Sequence, residues 1–282
     1  MTSLADQSIS WFPVSPGVLR RPGAKIYYEV AGSGPAIVFA HGLGGNHLSW
    51  WQQIAYFARQ YTCVTFAHRG FAPSVTGAEP DAWDPSHYAD DLEALIAHLD
   101  LTDVCLVAQS MGGWSSIEYA LRHPSRVRRL VLSATSGTFD LSTLEPPAGS
   151  AMEQWYADHA PINMDLFRRG IHPAAGERMV REQPALHLLY REIDLLSARV
   201  DKFALREKLA AMRTVPVSRL RELTMPVLFV AGDEDVVFPP EAASALAAIA
   251  PHGELEVVPE SGHSVYFERA ALFNERVGSF LR

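Results

Sequence analysis

Cysteine is nearly absent from this chain: two in 282 residues, Cys63 and Cys105, each inside an apolar, strand-like run. That scarcity excludes a disulfide-built scaffold, and the setting reads as two buried thiols rather than a bridge or a reactive pair. Positive charge is also short. Lys and Arg number 24 against 32 Asp and Glu, a net charge of -8, and since nucleic acid and anionic membrane surfaces both need a basic face, neither is an expected partner. The opening "MTSLADQSISWFPVSPG" has no basic n-region and no sustained apolar run. A signal peptide or membrane anchor is therefore not expected, and a cytoplasmic location is. No His/Cys grouping has metal-ligand spacing, and neither an internal repeat nor a low-complexity tract is present.

What the chain does have is ordinary globular composition, 48% apolar and 20% charged, and enough length for one large α/β domain, with or without an insertion. Short aliphatic runs alternate with longer stretches of helical period. "AIVFAHG", "YTCVTFAHRG", "DVCLVAQS", "VRRLVLSAT", "PVLFVAGDED" and "ELEVVPESGH" each end in small or polar residues, as strands of a buried sheet do. Between them, "SHYADDLEALIAHLDL" sets Leu92, Leu95, Ile96 and Leu99 on one helical face. This alternation predicts βαβ units and a mostly parallel central sheet with helices on both faces. Ahead of it, "VLRRPGAKIYYEV" reads as a hairpin turning at "RPGA". From about Phe139 to Leu223 the alternation stops; Arg, Met and the prolines 146, 147, 161, 173 and 184 predict several short helices, inserted between two strands. The expected organisation is a core of residues 1–138 and 224–282 carrying a helical cap of residues 139–223.

The stretch "VCLVAQSMGGWSSIEYALRHP" places Ser110 where a strand turns at once into a helix. Such a turn strains the backbone and pushes the side chain outward, so it needs small neighbours; Ala108, Gly112 and Gly113 supply them. The helix beginning at Met111 aims its N-terminal amides and positive dipole end at the same point, which favours a developing oxyanion. Serine is also a preferred N-cap, and these five residues alone leave that reading open. A serine nucleophile needs a base and a third group that orients the base. His263 stands in "ESGHSVYFE" after the last predicted strand, and Asp233 and Asp235 in "AGDEDVVFPP" after the one before. In "FAHGLGGNHLSWW", His41-Gly42-Leu43-Gly44-Gly45 directly follows "AIVFA", where a second oxyanion-hole amide has to come from.

Taken together, "GSGPAIVFAHG", "AQSMGG", "GDEDVVFPP" and "SGHSVYFE" resemble the α/β-hydrolase superfamily, in order and spacing, from about Gly32 to the C-terminus. The resemblance implies an α/β-hydrolase fold with a nucleophile elbow at Ser110, a catalytic triad of Ser110, Asp235 and His263, and an oxyanion hole from the amides of Leu43 and Met111. Asp235 is preferred to Asp233 because the family's acid stands three residues after the glycine and four before a proline, as Asp235 does between Gly232 and Pro239. Two departures stand out: Ala108 replaces the first glycine of Gly-x-Ser-x-Gly, and "AHRGFAPS" has Ala67 and Ala72 where Asp-x-Arg-Gly-x-Gly-x-Ser is usual, which leaves Arg69 without its usual neighbour. Serine at the elbow also argues against haloalkane dehalogenase and epoxide hydrolase activities, which use an aspartate there.

The activity so implied is a cofactor-free serine hydrolase that cleaves a carboxylic ester or lactone through an acyl-enzyme. Trp114, Phe71, Phe238 and Val265 beside the motifs, and Trp155 with Tyr156, Phe167, Leu188, Leu189 and Tyr190 in the insertion, are the candidate substrate-binding residues and favour an apolar or aromatic group. Two alternatives are carried. One is a C–C hydrolase of vinylogous diketones, whose carboxylate-bearing substrates would be favoured by a cap arginine such as Arg191 facing the pocket. The other is a ligand-sensing receptor on the same fold; cofactor-independent oxygenases share it too. A small-molecule substrate is the expected partner, with assembly into a homo-oligomer left open.

Overall fold

A computed structural model describes residues 12–77, 82–146 and 148–282. The opening eleven residues, where no leader is expected, and Pro147 lie outside the described residues. Eight strands form the central sheet: β1 Val14–Arg21, β2 Ala24–Ala31, β3 Ala36–Ala40, β4 Thr62–Phe66, β5 Val104–Gln109, β6 Val127–Ser133, β7 Val227–Gly232 and β8 Gly253–Val258. Their spatial order is β1-β2-β4-β3-β5-β6-β7-β8, with the two-residue strand Val75–Thr76 added against β2. β1 and β2 make the expected hairpin, Arg21 opposite Ala24, and Gly23 takes the left-handed conformation of its turn at φ 66°. β2 meets β4 antiparallel. Every pairing from β4 onward is parallel.

Parallel strands covered on both faces read as unbroken apolar runs, and every residue of β3, β5 and β7 is buried. Because successive strand side chains point to opposite faces, each strand feeds two cores. Val38, Val64, Leu106, Leu130 and Phe229 pack with Leu92, Leu95 and Ile96 of α2 (Tyr88–His98), Ile117 of α3 (Gly112–Arg122) and Leu246 of α8 (Pro240–Ile249). Ile37, Phe39, Cys63, Cys105, Val107 and Leu228 face the other way, onto Phe57 of α1 (Trp51–Phe57) and Phe273 and Val277 of α10 (Ala270–Leu281). Both cysteines are buried and unbridged, and burial pushes the Cys63 thiol up to about 12.

Between β6 and β7 the chain forms α4 (Ala148–Arg168), α5 (Gly176–Glu182), α6 (Pro184–Leu195) and α7 (Lys202–Ala211). The ends of this segment are tied together by a two-stranded parallel ladder, Phe139–Asp140 against Val215–Pro216. Its helices are longer than the prolines suggested. α4 runs for 21 residues straight through Pro161, whose ring is exposed; the hydrogen bond that proline cannot donate is lost on a face that water reaches. Pro184, by contrast, sits in the first turn of α6, where a missing N–H costs nothing. No helix among the described residues is long and apolar enough to cross a membrane.

Candidate active site

Ser110 is the first of the two residues between β5 and α3 and has φ 48°, in the left-handed region that a residue with a Cβ enters only when its surroundings enforce it. The enforcement is visible. Its N–H donates to Ser133 O (3.0 Å) and its carbonyl accepts from Gly113 N–H (2.9 Å). A Cβ on Gly112 would stand 2.2 Å from Ala40 O, and one on Gly113 2.4 Å from Thr135 Oγ1. Two glycines after the serine are therefore required by close approach of α3 to β3 and to the loop after β6. Before the serine no glycine is needed: Ala108 is fully buried between Ala40 and Leu132 of the neighbouring strands. The helix itself starts one residue later than read from the sequence, with Met111 as its N-cap.

His263, in the loop between β8 and the short helix α9 (Val265–Glu268), places Nδ1 2.8 Å from Asp235 Oδ2. Both residues are 3% exposed. A carboxylate accepts, so Nδ1 carries the proton and a neutral ring keeps its lone pair on Nε2. The other carboxylate oxygen of Asp235 accepts from Val237 N–H (2.7 Å) and Phe238 N–H (3.0 Å), which orients the acid before the histidine meets it. Asp233 is exposed; its Oδ1 accepts from Ser261 N–H at 3.3 Å, joining the acid loop to the histidine loop. Of the two aspartates only Asp235 contacts the imidazole.

One cavity, about 330 Å³, collects Ser110, His263, Leu43 and Met111. Leu43 lies inside a turn held by Gly45 N–H to Gly42 O (3.1 Å) and by His41, whose ring is buried completely. The His68 N–H donates to His41 Nε2 at 2.9 Å, so the His41 proton is on Nδ1 and goes to Gly42 O at 2.8 Å. Burial drives this imidazole down to about 3, so it stays neutral and its two bonds keep their sense. His68 was not singled out in the sequence. Its position just past the second parallel strand, in "AHRG", was the available signal.

Arg69 has not lost its partner. Its guanidinium grips Asp91 of α2 with two bonds of 2.7 Å, both side chains being 2% exposed, and Arg21 adds a third contact at 3.1 Å. An aspartate supplied by a helix thus takes the role expected at position 67. Phe71 is correspondingly drawn into the interior, 0% exposed, with its ring 5.0 Å from that of His41; it does not project into the cleft.

The substrate-binding candidates divide. Trp114, Tyr156 and Tyr190 line the cavity. Phe71, Phe238 and Val265 do not: they are packing residues of three separate core clusters. Trp155 also stands outside, its ring stacked on His159 of its own helix at 3.8 Å, and Phe167, Leu188 and Leu189 present large exposed faces. A helix shows each neighbour a different side, so Tyr156 faces the cavity where Trp155 cannot. Arg191 is exposed and outside the lining too. The sequence reading missed several wall residues, among them Gln109, His172, Lys202, Arg206 and Arg213. Gln109 Nε2 donates to His263 O at 3.4 Å, which ties the serine turn to the histidine loop. Glu268, likewise missed, accepts Gly262 N–H at 2.7 Å from beneath that loop. Among the described residues no cluster of three or more His, Cys, Asp or Glu is arranged to hold a metal ion.

Comparison with known proteins identifies the fold. Residues 35–270 match the family model described as alpha/beta hydrolase fold. A putative carbamate hydrolase of Agrobacterium fabrum is 28% identical over 91% of this chain and 98% of its own length. The 3-oxoadipate enol-lactonase 2 of Acinetobacter baylyi is 27% identical over 88% of this chain and 89% of its own. Among solved structures, Est816, described as an N-acyl homoserine lactone degrading enzyme, superimposes with a TM-score of 0.74 at 26% identity, covering 94% of this chain and all of that one.

Proposed function

The chain belongs to the alpha/beta hydrolase fold family, and from that premise we propose that it cleaves a carboxylic ester or lactone through an acyl-enzyme formed on Ser110. The observation that carries the reading is the shared cavity of Ser110 and His263, with Asp235 buried behind the imidazole at 2.8 Å. In the proposed reaction His263 Nε2 takes the Ser110 proton as Oγ attacks the substrate carbonyl. Asp235 holds the ring in the right tautomer and stabilises the imidazolium. The amides of Leu43 and Met111 receive the oxyanion. As the tetrahedral adduct collapses, the bond to the alcohol breaks and His263 returns the proton to the departing oxygen. Water, deprotonated by the same nitrogen, then attacks the acyl-enzyme, and as the Ser110–acyl bond breaks His263 returns that proton to Ser110 Oγ and the acid is released. The relatives named for lactone and carbamate chemistry support a reaction at a carbonyl of this kind.

Hydrolysis of a C–C bond in a vinylogous diketone is kept as a second reading for one reason: although Arg191 lies outside, two other arginines of the inserted segment, Arg206 and Arg213, do line the cavity. Nitrophenyl esters of graded chain length, lactones and a ring-fission dienoate, assayed with wild type and Ser110→Ala, separate the readings. Ester or lactone turnover that falls about 10⁴-fold or more in Ser110→Ala, with an unchanged melting temperature, is the expected result. Turnover of the dienoate alone would transfer the assignment to the second reading, and an alanine variant of near-normal rate would remove Ser110 from it.

A further inference from the structure

The cavity wall is charged in a sense opposite to the chain. Acidic residues outnumber basic ones by eight overall, yet the lining contains Lys202, Arg206 and Arg213 and not one Asp or Glu. Lys202 is neutralised, its ammonium paired with Asp194. His172 is held neutral, since burial takes its imidazole down to about 4. The two arginines are different: neither forms an ion pair among the described residues, Arg213 being half-buried and Arg206 exposed, with Asp194 acting on it only at longer range. Arg213 lies with its guanidinium carbon 5.1 Å above the Trp114 ring, and its buried Nε has no hydrogen-bond partner. Arg206 is placed over Phe167 (5.9 Å) and Phe203 (5.7 Å). Aromatic faces hold a guanidinium by cation–π attraction without using its N–H donors. Those donors remain for something else.

Resting on the hydrolase reading above, we propose that the substrate carries a carboxylate remote from the scissile carbonyl, and that Arg213, aided by Arg206, is the subsite that receives it. A partly desolvated cation without a counter-ion is costly, and a charge-assisted bond to a ligand carboxylate removes that cost. The rest of the wall limits what joins the two ends. Leu43, Met111, Trp114, Leu209 and Val237 are apolar, and a cavity of about 330 Å³ is at the small end for ligand sites. The substrate class is thus a short ester or lactone with an apolar linker and a terminal carboxylate. Its hydrolysis yields a dicarboxylic acid, so an enzyme that consumes small diacids is the class of reaction that would follow.

Two esters of similar length test this: 4-nitrophenyl hydrogen glutarate, with the terminal carboxylate, and 4-nitrophenyl hexanoate, without it. The wild type should favour the glutarate ester in kcat/KM, and added salt should reduce that preference. Arg213→Gln should lower kcat/KM for the glutarate ester about 10- to 100-fold more than for the hexanoate, mainly through KM. Arg213→Lys should recover part of the difference, since charge returns without the fork. Glutarate binding measured by calorimetry supplies a reading independent of turnover: wild type should bind it, and Arg213→Gln about tenfold or more weakly. If neither ester is turned over but glutarate binding still depends on Arg213, the hydrolase reading fails and the anion subsite stands. Equal losses on the two esters, or glutarate binding indifferent to Arg213, would overturn the subsite.

Discussion

A two-residue difference separates Asp233 from Asp235, and burial decides between them. Asp233 faces solvent and accepts one long bond from Ser261 N–H. Asp235 is oriented by two backbone amides on one oxygen and presents the other to His263. If Asp235 sets the imidazole tautomer, Asp235→Asn should retain the loop, because an amide oxygen can still accept from Val237 and Phe238, yet lower kcat on the order of 10⁴-fold. Asp233→Asn removes a charge from the surface and should cost less than about tenfold. Measuring kcat/KM for both variants on one ester checks this, and the reverse ranking would move the acid by two residues. Nothing in composition separates these aspartates. The spacing from Gly232 to Pro239 favoured Asp235 through family resemblance, and the buried 2.8 Å contact to His263 gives the preference a physical basis.

Helix α9 is only four residues long, but it returns the chain beneath the histidine loop and lets Glu268 take the N–H of Gly262. Burial is the main reason its carboxyl is pushed up to about 7, against the opposing pull of the Gly262 bond, the Ser261 contact and Arg269, with Asp235 adding to the rise. A carboxyl with a raised native pKa binds more protons folded than unfolded between its usual value and about 7. Its stabilising contribution is therefore complete at acid pH and is lost as the pH climbs through about 7. Glu268→Gln keeps an oxygen for Gly262 but cannot ionise. Denaturant titrations of both proteins from about pH 5 to about pH 8 should show the variant gaining on the wild type, by on the order of 3 kcal/mol. A difference constant with pH would mean that Glu268 does not titrate in this window. The sequence hid this element because its chemistry depends on a turn that brings residue 268 back to residue 262, with no periodicity to announce it.

Across the whole molecule the two parts of the chain are held with unequal firmness. All six residues of β5 are buried, whereas α4 buries only Gly149, Met152 and Leu166 in its 21 positions. Opening that helix exposes little apolar surface, while opening the sheet exposes two cores, so local unfolding should be confined to the inserted helices. Hydrogen exchange followed by mass spectrometry is expected to show α4 amides exchanging at least about tenfold faster than those of β3, β5 and β7. For α4 the bridging contacts include Asn163 Nδ2 to Val236 O at 2.7 Å, whereas the later helices add Trp114 Nε1 to Leu209 O, Gln183 Nε2 to Glu268 O and the Arg178–Glu234 ion pair. Protection of α4 equal to that of the sheet would mean that the inserted helices and the sheet open as one unit.

Sequence by itself determined the succession of strands along the chain, the serine turn and the strand-end loops that carry Asp233, Asp235 and His263, because each depends on neighbours within a few residues: an apolar run, a glycine pair, a strand end. The hairpin turning at Gly23 was legible for the same reason. What only the tertiary structure decided is what distant segments do to one another. Arg69 finds Asp91 across 22 residues, and His68 fixes His41 from the adjacent strand end. Phe71, Phe238 and Val265 are absorbed into the core, and Arg206 and Arg213 come to stand in a cavity with Ser110, about a hundred residues away in the chain. Local pattern specifies a backbone turn because its strain is local. A binding surface is assembled from side chains of separate elements, and which of them face inward follows from how the elements pack.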